Sequence, residues 1–446
     1  MPRLILEHNE NDVFIVQVFV RAGSVFEKDG ERGVSHFLEH MMFKSKKNIT
    51  VENLLVRLNA LGGTFNAMTN KDYTTFYVRT IGKNWKRSLE TLDTIVFEPH
   101  FLPDEVAKEK KVILEEYMQY EDDIKDKAFT IAYTEFLAKE NPYRQCVKGT
   151  LEDIEATTPA SLKTYYDSRY GDYMIYVNCG KDIERSVRKH VARVFRGLDR
   201  GNTNAKTQTK ATKATNAKTN ASLDRSLSRM LTNPDHPTVK VVCDPKRSQN
   251  ATVIMFQGFP HDDKRNIVLS FVWNVLVGGL NSLLMLEMRE KRGLVYNMSS
   301  FNDTYSKTGY TGVYFASSTT DIASVLVYVM RILKRMSGKG LSPHILTYSK
   351  ASFANKLAYK LTELDFESER SMLRHYYRCG WDERFVLKKL GRITNDDVVR
   401  VCREVFDFRR CCVVSIGNYP DATLAEKKIN RILERRGVRE RPATRS

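Results

Sequence analysis

Two histidines and a glutamate stand close together near the start of the chain, in the run His36-Phe37-Leu38-Glu39-His40. On a helix, positions i and i+4 share one face, so His36 and His40 can direct both imidazoles at one ion. Zinc binds neutral imidazole nitrogens and carboxylates, and its catalytic sites keep one position for water. Water acidified by a metal needs a nearby general base, and Glu39 is placed for that role.

This H-x-x-E-H order is the inverse of the H-E-x-x-H motif of zinc peptidases. The alternative interpretation is a helix with two ordinary histidines, because chance alone places such a motif in roughly one chain in a hundred of this histidine content. A site with two histidines also requires a third protein ligand. The rest of the chain must therefore supply a carboxylate.

The segment Glu105–Asp123 is a strong helix candidate that carries several carboxylates. Helical spacing places Glu109 and Glu116 on one face, whereas Glu115 falls on the solvated face. The other residues of that first face are apolar: Val106, Val112 and Ile113. Two carboxylates there are costly to bury without a cation or hydrogen bonds. We therefore interpret Glu116 as the third ligand and Glu109 as its support, with an exposed helix edge as the alternative.

The elements that must position these residues alternate between strand and helix patterns. Val13–Val20 is an apolar, β-rich run, and alternation predicts a second strand over Tyr73–Thr80. Residues 51–61 have the pattern of an amphipathic helix that Gly62 ends. Its predicted apolar side consists of Leu54, Leu55, Leu58 and Leu61. Strands and helices in this mixture predict an α+β fold.

A low-complexity stretch of Thr, Lys, Ala and Asn divides the chain. We predict an N-terminal domain over 1–200, a linker over 201–236, a C-terminal domain over 237–430 and a basic tail over 431–446. The second domain also opens with two strand patterns, followed by a helix from Asn266 to Val277. These patterns therefore predict a weak internal duplication. The second half has no counterpart of the histidine pair, so a metal site would belong to the first half.

Composition favours a globular protein of two or three domains, with 446 residues and 42% hydrophobic content. No apolar run is long enough to span a membrane, and the N-terminus lacks the pattern of a secretory or transit signal. We expect a cytoplasmic protein. The seven cysteines contain no C-x-x-C pair, so reduced thiols are expected rather than disulfides or a thiolate zinc site.

The net charge of +17 is concentrated in two segments. Residues 201–222 hold four lysines and no acid, and residues 427–446 hold eight basic residues and two acidic ones. Nucleic-acid binding through these segments is one interpretation, and solubilising charge is the favoured one. We expect neither a nucleic-acid nor a membrane partner.

The residues resemble the pitrilysin (insulinase, M16, inverzincin) family of zinc peptidases. The likeness includes "RAGSVFE" before "GVSHFLEHMMFK", then "LGGTFNAMTNKDYTTFY", "EKKVILEEY" and, beyond the linker, "LEMREKRGLVYNMSS". The separation of His40 and Glu116 fits the family pattern. The resemblance implies two homologous α+β domains, each a mixed, mainly antiparallel sheet flanked by helices. It covers nearly the whole chain except the linker and tail.

The resemblance also implies roles for individual residues. One zinc ion would be bound by the ligands already named, with Glu39 as general base and Glu109 as support. Asn66 and Ala67 would hydrogen-bond the backbone of a peptide added to the neighbouring strand edge. Arg289 and Tyr296 would hold the substrate carbonyl and stabilise the oxyanion.

A chain with only two domains resembles the short, processing-peptidase-like members, which enclose a chamber with two chains. Because one chain carries both the zinc motif and the Arg/Tyr pair, the resemblance implies a homodimer that cleaves peptides or unfolded protein. Two alternatives stay open at this point. One is a catalytically silent structural subunit of a larger complex, and the other is a basic nucleic-acid-associated protein.

Overall fold

The computed structural model describes residues 3–195, 236–318 and 321–437. Residues 3–119 and 145–195 form one unit, whereas 120–144 join the described residues from 236 onward in a second unit. The predicted linker over 201–236 lies outside the described residues apart from its last position, as does the predicted tail beyond residue 437. The last helix continues to Gly437, so the segment predicted as a tail from residue 431 begins inside a helix.

The first unit is built on a mixed sheet of five strands in the order β1-β5-β2-β4-β3. Only the β1–β5 pair is parallel, and the other pairs are antiparallel. The strands are β1 (Arg3–His8), β2 (Val13–Val20), β3 (Thr64–Thr69), β4 (Thr74–Ile81) and β5 (Tyr173–Cys179). The central strand β2 is apolar along nearly its whole length because both of its faces are buried. In the edge strand β3, exposed and partly buried residues alternate.

Helices of the first unit pack on this sheet and on one another. They are α1 (Val34–Met41), α2 (Val51–Ala60), α3 (Trp85–Phe97), α4 (Pro103–Asp122), α6 (Leu151–Ala156), α7 (Pro159–Arg169) and α8 (Glu184–Val194). Thr50 caps α2 by accepting a hydrogen bond from the Asn53 amide, and Gly62 follows its end at φ +63°. Leu55 of α2 is 41% exposed, so its assignment to the buried side was wrong. Leu54, Leu58 and Leu61 are buried as predicted.

The second unit repeats the same strand order, β6-β10-β7-β9-β8, again with one parallel pair at one edge. Its strands are β6 (Thr238–Cys243), β7 (Asn250–Gln257), β8 (Asn297–Thr304), β9 (Gly309–Ser317) and β10 (Cys412–Gly417). The identical order in two sheets confirms the predicted pair of α+β domains. It also agrees with an internal duplication.

The helices of the second unit include one that precedes the linker in sequence. Helix α5 (Ile124–Phe136) packs against β7 and β10 through a face that includes Ala128, Ala132 and Phe136. The others are α9 (Arg265–Val277), α10 (Leu283–Met285, continued by a π-turn over Leu286–Glu290), α11 (Ile322–Gly338), α12 (Pro343–Lys360), α13 (Leu364–Tyr376), α14 (Glu383–Gly391), α15 (Asn395–Val405) and α16 (Ala422–Gly437). Among the described residues, no helix has the length and apolar character needed to cross a bilayer.

Candidate metal centre

The helix that carries the histidine pair begins at a tightly constrained turn. Gly33 precedes α1 at φ +88°, and a Cβ atom there would lie 2.5 Å from the Lys148 carbonyl oxygen. The buried Glu27 carboxylate accepts hydrogen bonds from the backbone N–H groups of Gly33 (2.8 Å) and Ser35 (2.9 Å). Burial raises the pKa of Glu27 to about 7, although these two N–H groups oppose the rise. The start of α1 is thereby fixed against its surroundings.

His36 and His40 lie one turn apart on α1, with ring centroids 4.7 Å apart. The opposite side of the helix, at Phe37, Leu38 and Met41, is buried in the core of the first unit. Because that side anchors the helix, both imidazoles face the same neighbour, which is helix α4. Their position follows directly from the i, i+4 spacing.

Glu116 of α4 faces both rings. Its Oε1 lies 3.8 Å from His36 Nε2, and its Oε2 lies 3.3 Å from His40 Nε2. One ligand atom from each of these three residues lies within 4.8 Å of the other two. In the described part of the chain, no other group of three or more His, Cys, Asp or Glu side chains could hold a metal ion in this way.

The donor chemistry of this group fits a zinc ion. Burial lowers the pKa of His36 to about 4, assisted by His40 and Lys148, so this imidazole is in the neutral form that metals require. His36 Nδ1 is buried and has no hydrogen-bond partner in the described residues. Two imidazoles and one carboxylate are three protein ligands, which leaves a fourth position of a tetrahedral ion for water.

A second carboxylate orients the second ring. Glu109, only 8% exposed, lies with Oε1 2.8 Å from His40 Nδ1, and its other oxygen pairs with Lys44. Nε2 of His40 is therefore the ring nitrogen directed at Glu116. Burial alone would lower the pKa of His40, but the Glu109, Glu116 and Glu39 carboxylates outweigh it and raise that pKa. For Glu109, the His40 and Lys44 contacts outweigh burial and lower its pKa.

Glu39 lies beside the three converging residues. Its Oε2 accepts a hydrogen bond of 2.5 Å from the Thr69 hydroxyl at the end of β3. Burial raises the pKa of Glu39, although the Thr69 hydrogen bond opposes the rise. One oxygen is held, and the carboxylate is more basic than an ordinary glutamate. These are properties that suit proton transfer.

The residues predicted to bind substrate in the first unit lie on β3. Among the described strands, β3 pairs only with β4, where Asn66 is opposite Tyr77 and Ala67 is opposite Phe76. The Ala67 amide donates to the Asn66 side-chain oxygen at 2.9 Å. Because β3 is an edge strand among the described strands, an extended peptide can pair with its outer side, where the Ala67 amide would exchange the Asn66 side-chain oxygen for a peptide carbonyl.

Arg289 and Tyr296 lie in the second unit. Arg289 is in the π-turn that follows α10, with Nε 3.7 Å from Glu290 Oε1. Tyr296 immediately precedes β8, is 70% exposed, and its backbone N–H donates to the Ala316 carbonyl at 2.9 Å. Both side chains are accessible, and their action on a substrate stays a prediction.

Sequence reasoning missed three residues that shape this site, namely Glu27, Lys44 and Thr69. Lys44 lies beyond the end of α1 at Met41, so helical spacing held no signal for its contact with Glu109. Thr69 shares one face of β3 with Ala67, as the period of two requires. Its contact with Glu39 depends on the packing of α1 against β3, which no local pattern encodes.

Two family profiles and several known proteins match this chain. The sequence profile of the insulinase family (Peptidase family M16) matches residues 3–146, and that of the M16 inactive domain matches residues 156–353. His36, His40 and Glu116 all lie within the first match. The stretch similar to the inactive domain contains none of them.

Curated proteins similar to the chain include an uncharacterized zinc protease of Rickettsia felis, 23% identical over 89% of this chain and 90% of that protein. Another, from Bacillus subtilis, is 24% identical over 94% of this chain and 97% of that protein. Among solved structures, a protease from Helicobacter pylori has a TM-score of 0.79 at 18% identity, covering 93% of this chain and 96% of that one. The structure of an M16 inactive domain from Pseudomonas fluorescens has a TM-score of 0.77 at 19% identity, and the match covers 93% of this chain and 95% of that one. These structures share the fold.

Proposed function

Because the chain belongs to the M16 (insulinase) family of peptidases, we propose that it is a zinc-dependent endopeptidase that cleaves peptides or unfolded protein segments. The observation that carries the proposal is the convergence of His36, His40 and Glu116, with Glu39 directly beside them. The zinc proteases among the curated relatives support the same activity. A catalytically silent subunit would not need an intact set of ligands beside a basic carboxylate.

His36, His40 and Glu116 would hold the ion, which when bound supplies positive charge that polarises the scissile carbonyl and acidifies water. Glu109 orients His40 through Nδ1 and is itself fixed by Lys44. The histidine therefore presents one defined nitrogen rather than two interchangeable ones.

Glu39 acts as the general base. With Oε2 held by Thr69, its Oε1 is the oxygen available to accept a proton from the attacking water. The same carboxyl group then returns this proton to the leaving amine. Burial, which raises the pKa of Glu39, strengthens the carboxylate as a base in the first step.

The substrate would extend β3 by adding a strand at its open edge. Asn66 and Ala67, which lie three and two residues before Thr69, would then supply backbone hydrogen bonds beside the catalytic carboxylate. Recognition through the backbone requires an extended, unpaired segment. This favours peptides and unfolded regions over folded proteins.

Arg289 and Tyr296 would stabilise the oxyanion, and we propose that they act on the metal centre of a partner chain in a homodimer that encloses a chamber. Mixing a Glu39→Gln protein with an Arg289→Ala protein tests this arrangement. Active hybrid dimers would regenerate cleavage. No recovery after verified subunit exchange would contradict action across the dimer.

The direct test of the proposed chemistry is Glu39→Gln, with Glu115→Gln as the matched control on the exposed face of α4. Glu39→Gln should keep its zinc content in elemental analysis and lower peptide turnover by a factor on the order of hundreds or more. Glu115→Gln should retain both its zinc content and its peptide turnover. Full turnover in the Glu39→Gln protein would refute the general-base assignment.

A further inference from the structure

A cleft of about 400 Å³ lies entirely within the second unit, among helices α9, α12 and α13 and strand β8. That volume is within the usual range for a small-molecule or side-chain binding site. None of the residues given a metal-binding or catalytic role above lines it.

The cleft occupies a place in its sheet that corresponds to the metal centre in the first unit. β3 ends at Thr69 and β8 ends at Thr304, each followed by a four-residue turn closed by a backbone hydrogen bond. The Thr69 hydroxyl bonds to Glu39 of α1. The Thr304 hydroxyl lies 2.8 Å from Nδ1 of His261, just before α9. The duplicated framework therefore offers a second recess, but without metal ligands in the described residues.

Most of the cleft wall is apolar. The residues that form it include Ile267, Phe353, Leu357, Phe366, Leu373 and Trp381. A surface of this kind favours an aliphatic or aromatic group that leaves water on binding. It would not favour a sugar or another fully hydrated ligand.

One cation of the cleft is left without a direct partner among the described residues. Arg370 of α13 is partly buried, and among the described residues its guanidinium makes no hydrogen bond or ion pair. Burial lowers the pKa of Arg370, and the positive charge of Arg374 adds to this. The Glu383 and Asp382 carboxylates make no direct ion pair with Arg370 and oppose the shift only in part. A partly dehydrated guanidinium is well suited to a bidentate carboxylate.

The remaining polar residues of the cleft leave Arg370 as the cation available to a ligand. Burial lowers the pKa of His261 to about 4, so its ring, stacked 4.2 Å from Tyr377, is neutral at pH 7. The charged residues of the cleft are Arg370, Arg374 and Glu369. Arg374 already donates to the Ser371 hydroxyl, so Arg370 is the cation left for a ligand, and a single carboxylate matches its planar guanidinium.

We propose that this cleft binds the carboxyl-terminal residue of a peptide, with the free carboxylate on Arg370 and an apolar side chain against Leu357, Phe366 and Trp381. The identity of the ligand as a peptide end rests on the proposed function, because each peptide cleavage creates such a carboxylate. The binding site itself does not depend on catalysis.

Trp381 provides a reporter within the cleft. Tryptophan fluorescence of the full-length protein is titrated with N-acetyl-phenylalanine and with its carboxamide. The acid should give saturable quenching, and the amide should bind at least about tenfold more weakly, because it lacks the charge that pairs with arginine. Trp381→Phe should abolish the signal.

Arg370→Gln tests the contact between the ligand carboxylate and Arg370. Arg384→Gln, on the exposed side of α14, is its matched control. Arg370→Gln should weaken binding of the acid at least about tenfold, whereas Arg384→Gln should change it less than about twofold. If thermal melting shows that Arg370→Gln is unfolded, Arg370→Lys replaces it. That variant keeps the charge and should still weaken acid binding several-fold, because lysine lacks the planar fork.

The proposed carboxylate site would be refuted by equal affinities for the acid and the amide, or by the absence of saturable quenching. Equal effects of Arg370→Gln and Arg384→Gln on acid binding would refute it as well. A comparison of free phenylalanine with Ala-Ala-Phe separates the two sources of the carboxylate. The proposal requires the peptide to bind at least as tightly as the amino acid, and the reverse order would overturn the assignment to a peptide end. Performing all titrations in a Glu39→Gln background as well makes the result independent of the peptidase assignment.

Discussion

A substitution at Glu109 should change metal affinity and folding stability through two different contacts, so the two effects can be measured separately. Its carboxylate contacts His40 Nδ1 at 2.8 Å and also pairs with Lys44, while its own side chain is only 8% exposed. Glu109→Gln keeps an oxygen that can accept from the His40 ring but removes the negative charge. The histidine becomes a poorer ligand, and Lys44 is left as an unpaired charge.

The two effects differ in size and in origin. Removing a carboxylate that orients a metal-bound histidine typically weakens metal affinity 10–100-fold, and retention of the oxygen places Glu109→Gln near the lower limit, at about tenfold. That is roughly 1.4 kcal/mol of binding free energy. Because the Lys44 side chain is 28% exposed, water compensates part of its lost partner, and the free energy of unfolding should fall by about 1–2 kcal/mol.

The double variant Lys44→Met/Glu109→Gln separates the two effects. It removes the unpaired charge, so urea denaturation of the metal-free protein should show most of the stability restored. Competition with a zinc chelator should show that the affinity is still reduced about tenfold, because the charge beside His40 is still missing. Full recovery of metal affinity in the double variant would refute the orienting role of Glu109, and unchanged affinity in Glu109→Gln would refute it as well.

Three further predictions concern the framework around the site. Gly33→Ala should lower the free energy of unfolding in urea by more than about 2 kcal/mol, because the new Cβ would lie 2.5 Å from the Lys148 carbonyl oxygen. The control Gly30→Ala, at φ +83° with open space around it, should lower it by only about 1 kcal/mol. Equal losses of stability in the two variants would contradict the close contact at Gly33. Thr69→Val should lower turnover roughly tenfold at unchanged zinc content, since Glu39 loses its hydrogen bond, and a loss of zinc instead would contradict that role. Burial lowers the pKa of Lys46 to about 7, so the unfolded chain binds more protons between pH 7 and about 10.5 and stability should rise with pH across that window. The rise should be smaller in Lys46→Met, and identical pH profiles would contradict burial of the ammonium.

Local periodicity predicted the parts of the site that depend on a single element. The i, i+4 histidines and the shared face of Glu109 and Glu116 followed from helix geometry alone, and the structure places these side chains together. Val112, assigned to the same face, is 47% exposed, because α4 is covered along only part of that face. The limits of an apolar stripe depend on what packs against it.

Features that depend on tertiary pairing were not accessible from the sequence. Helix α5 packs against β7 and β10 although it precedes the linker, and its composition does not distinguish the two sheets as partners. The contact between Thr69 and Glu39 likewise requires β3 to lie beside α1. Strand order and helix docking are set by the sum of many contacts rather than by one segment.

We propose that two imidazoles and the carboxylate of residue 116 bind one ion. Elemental analysis of wild type, Glu116→Gln and Glu115→Gln proteins, purified in parallel and dialysed against the same buffer, tests it most directly. We expect about one zinc ion per chain in wild type and in Glu115→Gln, and far less than one in Glu116→Gln. Equal zinc in all three proteins, or none in the wild type after exposure to zinc, would contradict the account.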